Sequence, residues 1–490
     1  MKLSVLGTLL ITTLLVGCSS LRPWQNVAAA KNPVAASGSS NGYSGDTSKQ
    51  PSVVVALTLS GGGARAAAFG LGVLRELKAT QFVLEGKETT LLDELGLISG
   101  VSGGSILATH YAMFGDETLT RFESDFLLDD FDGGLIRRAL SFSRFRDLAS
   151  PWYGRSNVLE ERLSALYRGK TFADLAARKS GPRLLVTATD LTTGAPFEFT
   201  PEQFALLCSD LNSVPLSFAV ASSSAVPLVL SPMTLRNHAE SCAHPRASPS
   251  ETPGSVQANY RARMLKASVD SYINVRERPF LHLVDGGVSD NLGLRGLLDR
   301  VVATGSIQDS FRGMAAGSIH KLILIAVNSE RDLAERIDQS DRVPTAPQVM
   351  DALLFGAGAR VTQMTLAMLE DDLRRWNEEL ARYRGSLDSP FAADAEIHVI
   401  SVSLRDVPDA ERRRLALQVP TAFTIDAANV ALLQGVARDV LRQSPAFQRL
   451  TQSLGASVAQ EPQPDTTTQK AQSAAVSWDH PLPAPAIMDH

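Results

Sequence analysis

The sequence lacks an excess of positive charge. Its 47 Lys and Arg are outnumbered by 52 Asp and Glu, a formal charge of -5 over 490 residues, and that balance gives no support for a nucleic-acid partner. No internal repeat is visible. The N-terminal apolar run falls short of the ~20 residues that a helical membrane span needs. Cysteine is scarce, confined to Cys18, Cys208 and Cys242. What remains is a chain long enough for a large core and one or two domains.

The N-terminus, "MKLSVLGTLLITTLLVGC", has one early Lys, an apolar run and then small residues. It reads as a secretory signal over residues 1–17. Its end, Leu15 to Cys18, resembles the lipobox of bacterial lipoproteins. The resemblance implies cleavage before Cys18, acylation of that residue, and a membrane anchor. Ser19 and Ser20 follow with no Asp, which suggests an outer-membrane destination in the cell envelope. Residues 18–52 are rich in Ser, Ala, Gly and Asn and read as a flexible tether, and 452–490 as a disordered tail. The fold is expected over 53–330, with a helix-and-strand extension over 331–451 packed on it. In an oxidising compartment Cys208 and Cys242 either pair or remain two buried thiols.

"LTLSGGGARAAAFG", residues 57 to 70, sets three glycines between a β-branched strand pattern and an alanine-rich helix pattern. Backbone N–H groups at a helix start lack intrahelical partners, and the helix dipole favours negative charge there. Gly61, Gly62 and Gly63 therefore suit an anion, either a cofactor phosphate or an oxyanion formed during a reaction. The cofactor reading needs an acidic residue at a second strand end about 20 positions on. Glu85 and Glu88 lie near that distance, but "FVLEGKETT" shows no such strand end.

A second glycine-rich turn, Gly100-Val101-Ser102-Gly103-Gly104, lies between the strand pattern "LGLISG" and the helix pattern "SILATHYAM". G-x-S-x-G in that context puts a serine hydroxyl on a tight turn at a helix N-terminus. The plainer alternative is a βα turn without chemistry. A nucleophilic serine needs a base, and the histidines serve poorly. His110 is about 12 Å along the same helix. His320 and His398 enter strands at the wrong end for a parallel-sheet site, and His282 lies within a strand. His480 and His490 fall in the tail. His238 and His244 belong to a polar loop, where "HAESCAH" reads as loop rather than metal site. Asp285 instead ends the apolar strand "FLHLV" and precedes Gly286 and Gly287. It suits either the active edge of a sheet or a turn cap.

Together, Gly61–Arg65, Gly100–Gly104 and Asp285–Gly287 resemble the G-G-G-x-R, G-x-S-x-G and D-G-G/A motifs of the patatin-like phospholipases. "ATDLTTG" (Ala188 to Gly194) and "ASSSAVPLVLSP" (Ala221 to Pro232) resemble secondary signatures of that family. The resemblance implies a three-layer α/β/α fold around a mostly parallel sheet. It also implies a Ser102–Asp285 dyad, an oxyanion site at Gly61, Gly62 and Gly63 with Arg65 close behind, and no metal or cofactor. The expected substrate is a phospholipid or another acyl ester. A general esterase or thioesterase would use the same site, and a noncatalytic envelope scaffold could keep the fold. Gly293 stands where many relatives have Pro, and 236–279 is a long polar insertion. The stretch 134–153 mixes Arg137, Arg138, Arg144 and Arg146 with apolar residues, and suits a packed helix or a lipid surface. From Leu366 to Tyr383, apolar residues at helical spacing suit core packing or a protein contact.

Overall fold

The structure, a computed structural model, describes residues 21–29, 52–134, 147–148, 150–242, 260–311, 313–331, 337–352 and 356–458. The signal segment, Cys18, Arg137, Arg138, Arg144, Arg146, His244, His480 and His490 lie outside these residues.

An eight-stranded mixed sheet forms the centre. Its main strands are β1 (Val53–Leu59), β2 (Leu95–Val101), β3 (Arg183–Asp190), β4 (Met233–Arg236), β5 (Phe280–Val284), β6 (Ile319–Asn328) and β7 (Phe391–Ser403), in the order β7-β6-β1-β2-β3-β5-β4. Strands β7, β6, β1, β2 and β3 run parallel, and Pro196–Glu198 pairs antiparallel with β3. The central strand "VVVALTL" is apolar on both faces because helices cover both. Helix α1 (Gly63–Ala79) is buried nearly all round between helix α2 (Gly103–Phe114) and a later helix, Ala427–Gln443. Helix Ala357–Tyr383 buries Leu369, Trp376 and Leu380 in a second core with Leu292, Leu294, Leu298 and Phe391, which is the core-packing use of that stripe. This is the α/β/α architecture expected from the motifs.

Several expectations change. Strand β5 is antiparallel to β3, pairing Val284 with Thr189 and Leu283 with Asp190. Asp285 therefore reaches the carboxyl edge of the parallel strands from the opposite direction; hydrophobic alternation carries no information on strand direction. "FVLEGKETT" forms a hairpin, Thr80–Leu84 with Lys87–Thr90, turning at Glu85 (φ 51°) and Gly86 (φ 79°). Two positive φ values at a two-residue loop mark a twist-matched hairpin turn, so Glu85 sits at a tip, away from any nucleotide site. The fold also continues past 451: Ser457–Val458 adds a third strand to this hairpin. The expected tether is not free throughout, because residues 21–29 dock on the domain through hydrogen bonds of Asn26, which is only 3% exposed. Cys208 and Cys242 are joined as a disulfide with Cα atoms 6.0 Å apart. Gly293 has φ 65°, a conformation closed to Pro.

Candidate active site

Parallel pairing aligns the ends of β1, β2 and β6: Leu59 lies beside both Gly100 and Val327. The residues that follow, Ser60, Ser102 and Ser329, therefore meet at one edge. Ser102 takes φ 50° and ψ -124° between β2 and α2, a strained conformation for a non-glycine residue, costing of order 1–3 kcal/mol. Surrounding backbone enforces it. A Cβ on Gly100 would stand 2.6 Å from Ser105 Cα, one on Gly104 2.4 Å from Ser60 O, and one on Gly103 2.0 Å from Gly63 O. The turn's three glycines are thus demanded by close approach, and Gly103 packs directly on the other glycine loop. The Ser102 N–H donates to Ser223 Oγ (2.8 Å), whose hydroxyl donates to Thr187 O (2.6 Å).

Asp285 sits beside this elbow. Its backbone N–H donates to Ala225 O (2.9 Å), and Thr189 Oγ1 donates to its carbonyl (2.9 Å). The carboxylate accepts from the Gly287 N–H (2.8 Å), and Ser102 lies near enough to pull its pKa down. It is therefore a turn cap that stands beside Ser102. Burial pushes its pKa from 3.8 up to about 6, against the Gly287 hydrogen bond and then Ser102, which pull it down. No histidine among the described residues bonds Ser102. His110 is buried against Phe114 and Phe122, bonds Thr118 Oγ1, and has its pKa lowered by burial to about 4. His238 bonds Asn26 O, His282 bonds Thr234, His320 bonds Asp394, and His398 bonds Glu396.

The glycine loop divides its donors. Gly61 N–H donates to Asn291 O (3.0 Å), and Ala64 N–H donates to Ala422 O (2.7 Å). The N–H groups of Gly62 and Gly63 have no partner among the described residues. Both residues lie at positive φ, 143° and 62°, which glycine alone adopts readily. A Cβ on Gly61 would come within 3.4 Å of Ser102 Cβ, so the loop adjoins the serine. Of the three expected oxyanion donors, Gly62 and Gly63 are thus available, and Gly61 is already engaged. Arg65 also differs from expectation. It is 2% exposed, and its guanidinium donates through Nε to Ser329 O (2.9 Å) and through Nη1 to Val419 O (2.7 Å). It fastens the loop from behind. Burial, then Arg331 nearby, lowers its pKa to about 9. The sequence reading missed Ser223, Asn291, Ser329, Val419 and Ala422. Only Ser223 carried a signal, inside "ASSSAVP".

Two helix N-termini, a serine elbow and a buried carboxylate on a mostly parallel sheet define an α/β protein built around an anion-stabilising edge. Residues 57–298 match the family described as patatin-like phospholipase, so over those residues the chain carries a domain of that family of lipid acyl hydrolases. Among solved structures it is similar to human GIVD cytosolic phospholipase A2, with 12% identity, TM-score 0.44, and 82% of this chain and 62% of that chain covered. It is also similar to VipD from Legionella pneumophila, with 13% identity, TM-score 0.27, and coverage of 88% and 73%. The match thus spans less than two thirds of the human protein's length. No curated protein matches the chain by sequence.

Proposed function

We propose that this chain hydrolyses acyl esters of membrane phospholipid through a Ser102–Asp285 dyad. The observation that carries the reading is the strained Ser102 elbow set beside the buried Asp285 carboxylate, whose pKa Ser102 pulls down, and against a glycine loop whose Gly62 and Gly63 N–H groups have no partner among the described residues. Ionised Asp285 accepts the serine proton as Ser102 Oγ attacks the ester carbonyl. The carbonyl oxygen becomes an oxyanion, and Gly62 and Gly63 donate to it. Each such donor is worth about 10²–10³ in turnover. Collapse expels the alcohol, which takes the proton from Asp285 and leaves an acyl-serine. Water then repeats the sequence, with Asp285 again as base, and releases the fatty acid. An esterase or thioesterase differs only in the leaving group.

The proposed setting is the outer membrane of the cell envelope, to which the exported protein is anchored through acylated Cys18. The Cys208–Cys242 disulfide supports an oxidising compartment. The test is a fluorophosphonate probe together with a chromogenic acyl ester. The probe is expected on Ser102, and ester hydrolysis is expected to vanish in Ser102→Ala. Activity surviving in that variant, with labelling on another serine, would defeat the proposal; a folded wild-type protein inert to both reagents would favour the scaffold.

A further inference from the structure

Residues 21–29 strap across the domain. Asn26 uses its whole amide: Nδ2 donates to Ser209 Oγ (2.6 Å) and Arg236 O (2.8 Å), and Oδ1 accepts the Arg236 N–H (2.8 Å). Ala29 N–H donates to Cys208 O (2.7 Å), and Trp24 packs edge-on against Phe218 at 4.8 Å. At the strap's start, Ser150 Oγ donates to Leu21 O (2.6 Å), and the Arg22 guanidinium lies 4.0 Å over the Trp152 ring. Cys18 is three positions before Leu21. At a reach of about 3.3–3.6 Å per residue, a Cys18 anchor stays within roughly 10 Å of Leu21.

A second feature adjoins it. The turn Val226–Leu230, closed by Leu230 N–H to Val226 O (2.8 Å), holds Leu228 at φ 68° and leaves Leu228 68% and Val229 62% exposed. A γ-branched residue in the left-handed region is strained, and here the strain points two apolar side chains at solvent. The turn directly follows Ser223 and Ala225, which hold Ser102 and Asp285. Arg155 donates to Leu228 O (2.6 Å) and is exposed, as is Trp152, three residues earlier. Leu21, Trp152, Leu228 and Val229 thus form one exposed apolar rim, flanked by Arg22 and Arg155, beside the candidate active site. Exposed apolar clusters with an aromatic and a basic border suit an anionic lipid interface.

We infer that this rim seats on the lipid bilayer, and that the docked strap turns the anchor into a short leash that presents the site to the surface. The inference rests on acylation of Cys18 and, for its catalytic arm, on the hydrolase reading. The occupant is the bilayer because the chain end beside the rim carries the proposed acyl group.

The test uses the full-length lipidated protein in vesicles of phosphatidylethanolamine with a minority of phosphatidylglycerol, the acyl chains brominated. Tryptophan quenching is expected in wild type, lost in Trp152→Phe, and weakened in Asn26→Ala, which frees the strap. Leu228→Ser/Val229→Ser is expected to slow vesicle hydrolysis about tenfold, the equivalent of roughly 1.4 kcal/mol of lost burial. Turnover of a water-soluble ester stays within about twofold. Unchanged quenching in Trp152→Phe, or wild-type vesicle hydrolysis by the double variant, overturns the rim. Absence of soluble-ester turnover in wild type instead overturns the hydrolase reading, and quenching then judges the rim alone.

Discussion

Replacing Asp285 with Asn is expected to make the protein nearly inert and, at neutral pH, more stable. The side chain keeps its shape and still accepts the Gly287 N–H, but it cannot take the serine proton. Turnover falls by about 10²–10⁴, the usual contribution of a positioned base. The stability change follows from burial, which raises the carboxyl pKa from 3.8 to about 6. A raised carboxyl pKa means that between roughly pH 4 and pH 6 the folded state holds a proton that the unfolded chain has released. Stability of the wild type therefore falls as pH rises through this window, and the loss is complete above pH 6. About two pKa units correspond to roughly 3 kcal/mol. Asp285→Asn removes that slope, so its advantage in urea midpoint is expected at pH 7.5 and largely gone at pH 4. In the wild type, kcat/KM rises with pH through about 6 as the base ionises. Asp290 is also buried and pushed up to about 6, but its Oδ2 accepts from Arg295 N–H (2.7 Å). Asp290→Asn is therefore expected to share the stability gain and keep the catalytic limb. A folded Asp285→Asn protein with near-normal turnover, or a stability difference equal at both pH values, refutes the reasoning.

Arg65→Met deletes two hydrogen bonds from a buried cation to Ser329 O and Val419 O, each worth about 1.5–3 kcal/mol. The glycine loop loosens, and kcat per active site, counted by fluorophosphonate titration, is expected to fall at least tenfold alongside a lower melting temperature; unchanged kcat counts against a positioning role. Cys18→Ser is expected to move the protein into the soluble fraction or leave an unprocessed precursor, and an unchanged mass and membrane fraction would refute acylation.

The parts of the site legible in the sequence are those set by local sterics. Gly100, Gly103 and Gly104 are needed because a Cβ at each meets backbone, and such a requirement is written into the motif itself. Asp285 was legible as a strand-end residue, although β5 runs against the expected direction. The strap was not legible, because "RPWQNVAAA" reads by composition as tether while its attachment depends on one Asn meeting Ser209 and Arg236.

The role of Arg65 shows why the rest was hidden. Its acceptors lie 264 and 354 positions away, and Ala422, whose carbonyl takes the Ala64 N–H, is equally remote. A buried guanidinium is costly unless hydrogen-bonded, so these carbonyls are what make Arg65 tolerable at the root of the glycine loop. None of Ser329, Val419 and Ala422 lies within the family-matched residues 57–298. The same later region supplies β6, which pairs along β1, and β7, which pairs along β6. The matched segment carries the reacting groups, but the orientation of Gly62 and Gly63 toward Ser102 is fixed by chain beyond it. The unit that holds the site therefore extends at least to Ala422, well past the residues that identify the family.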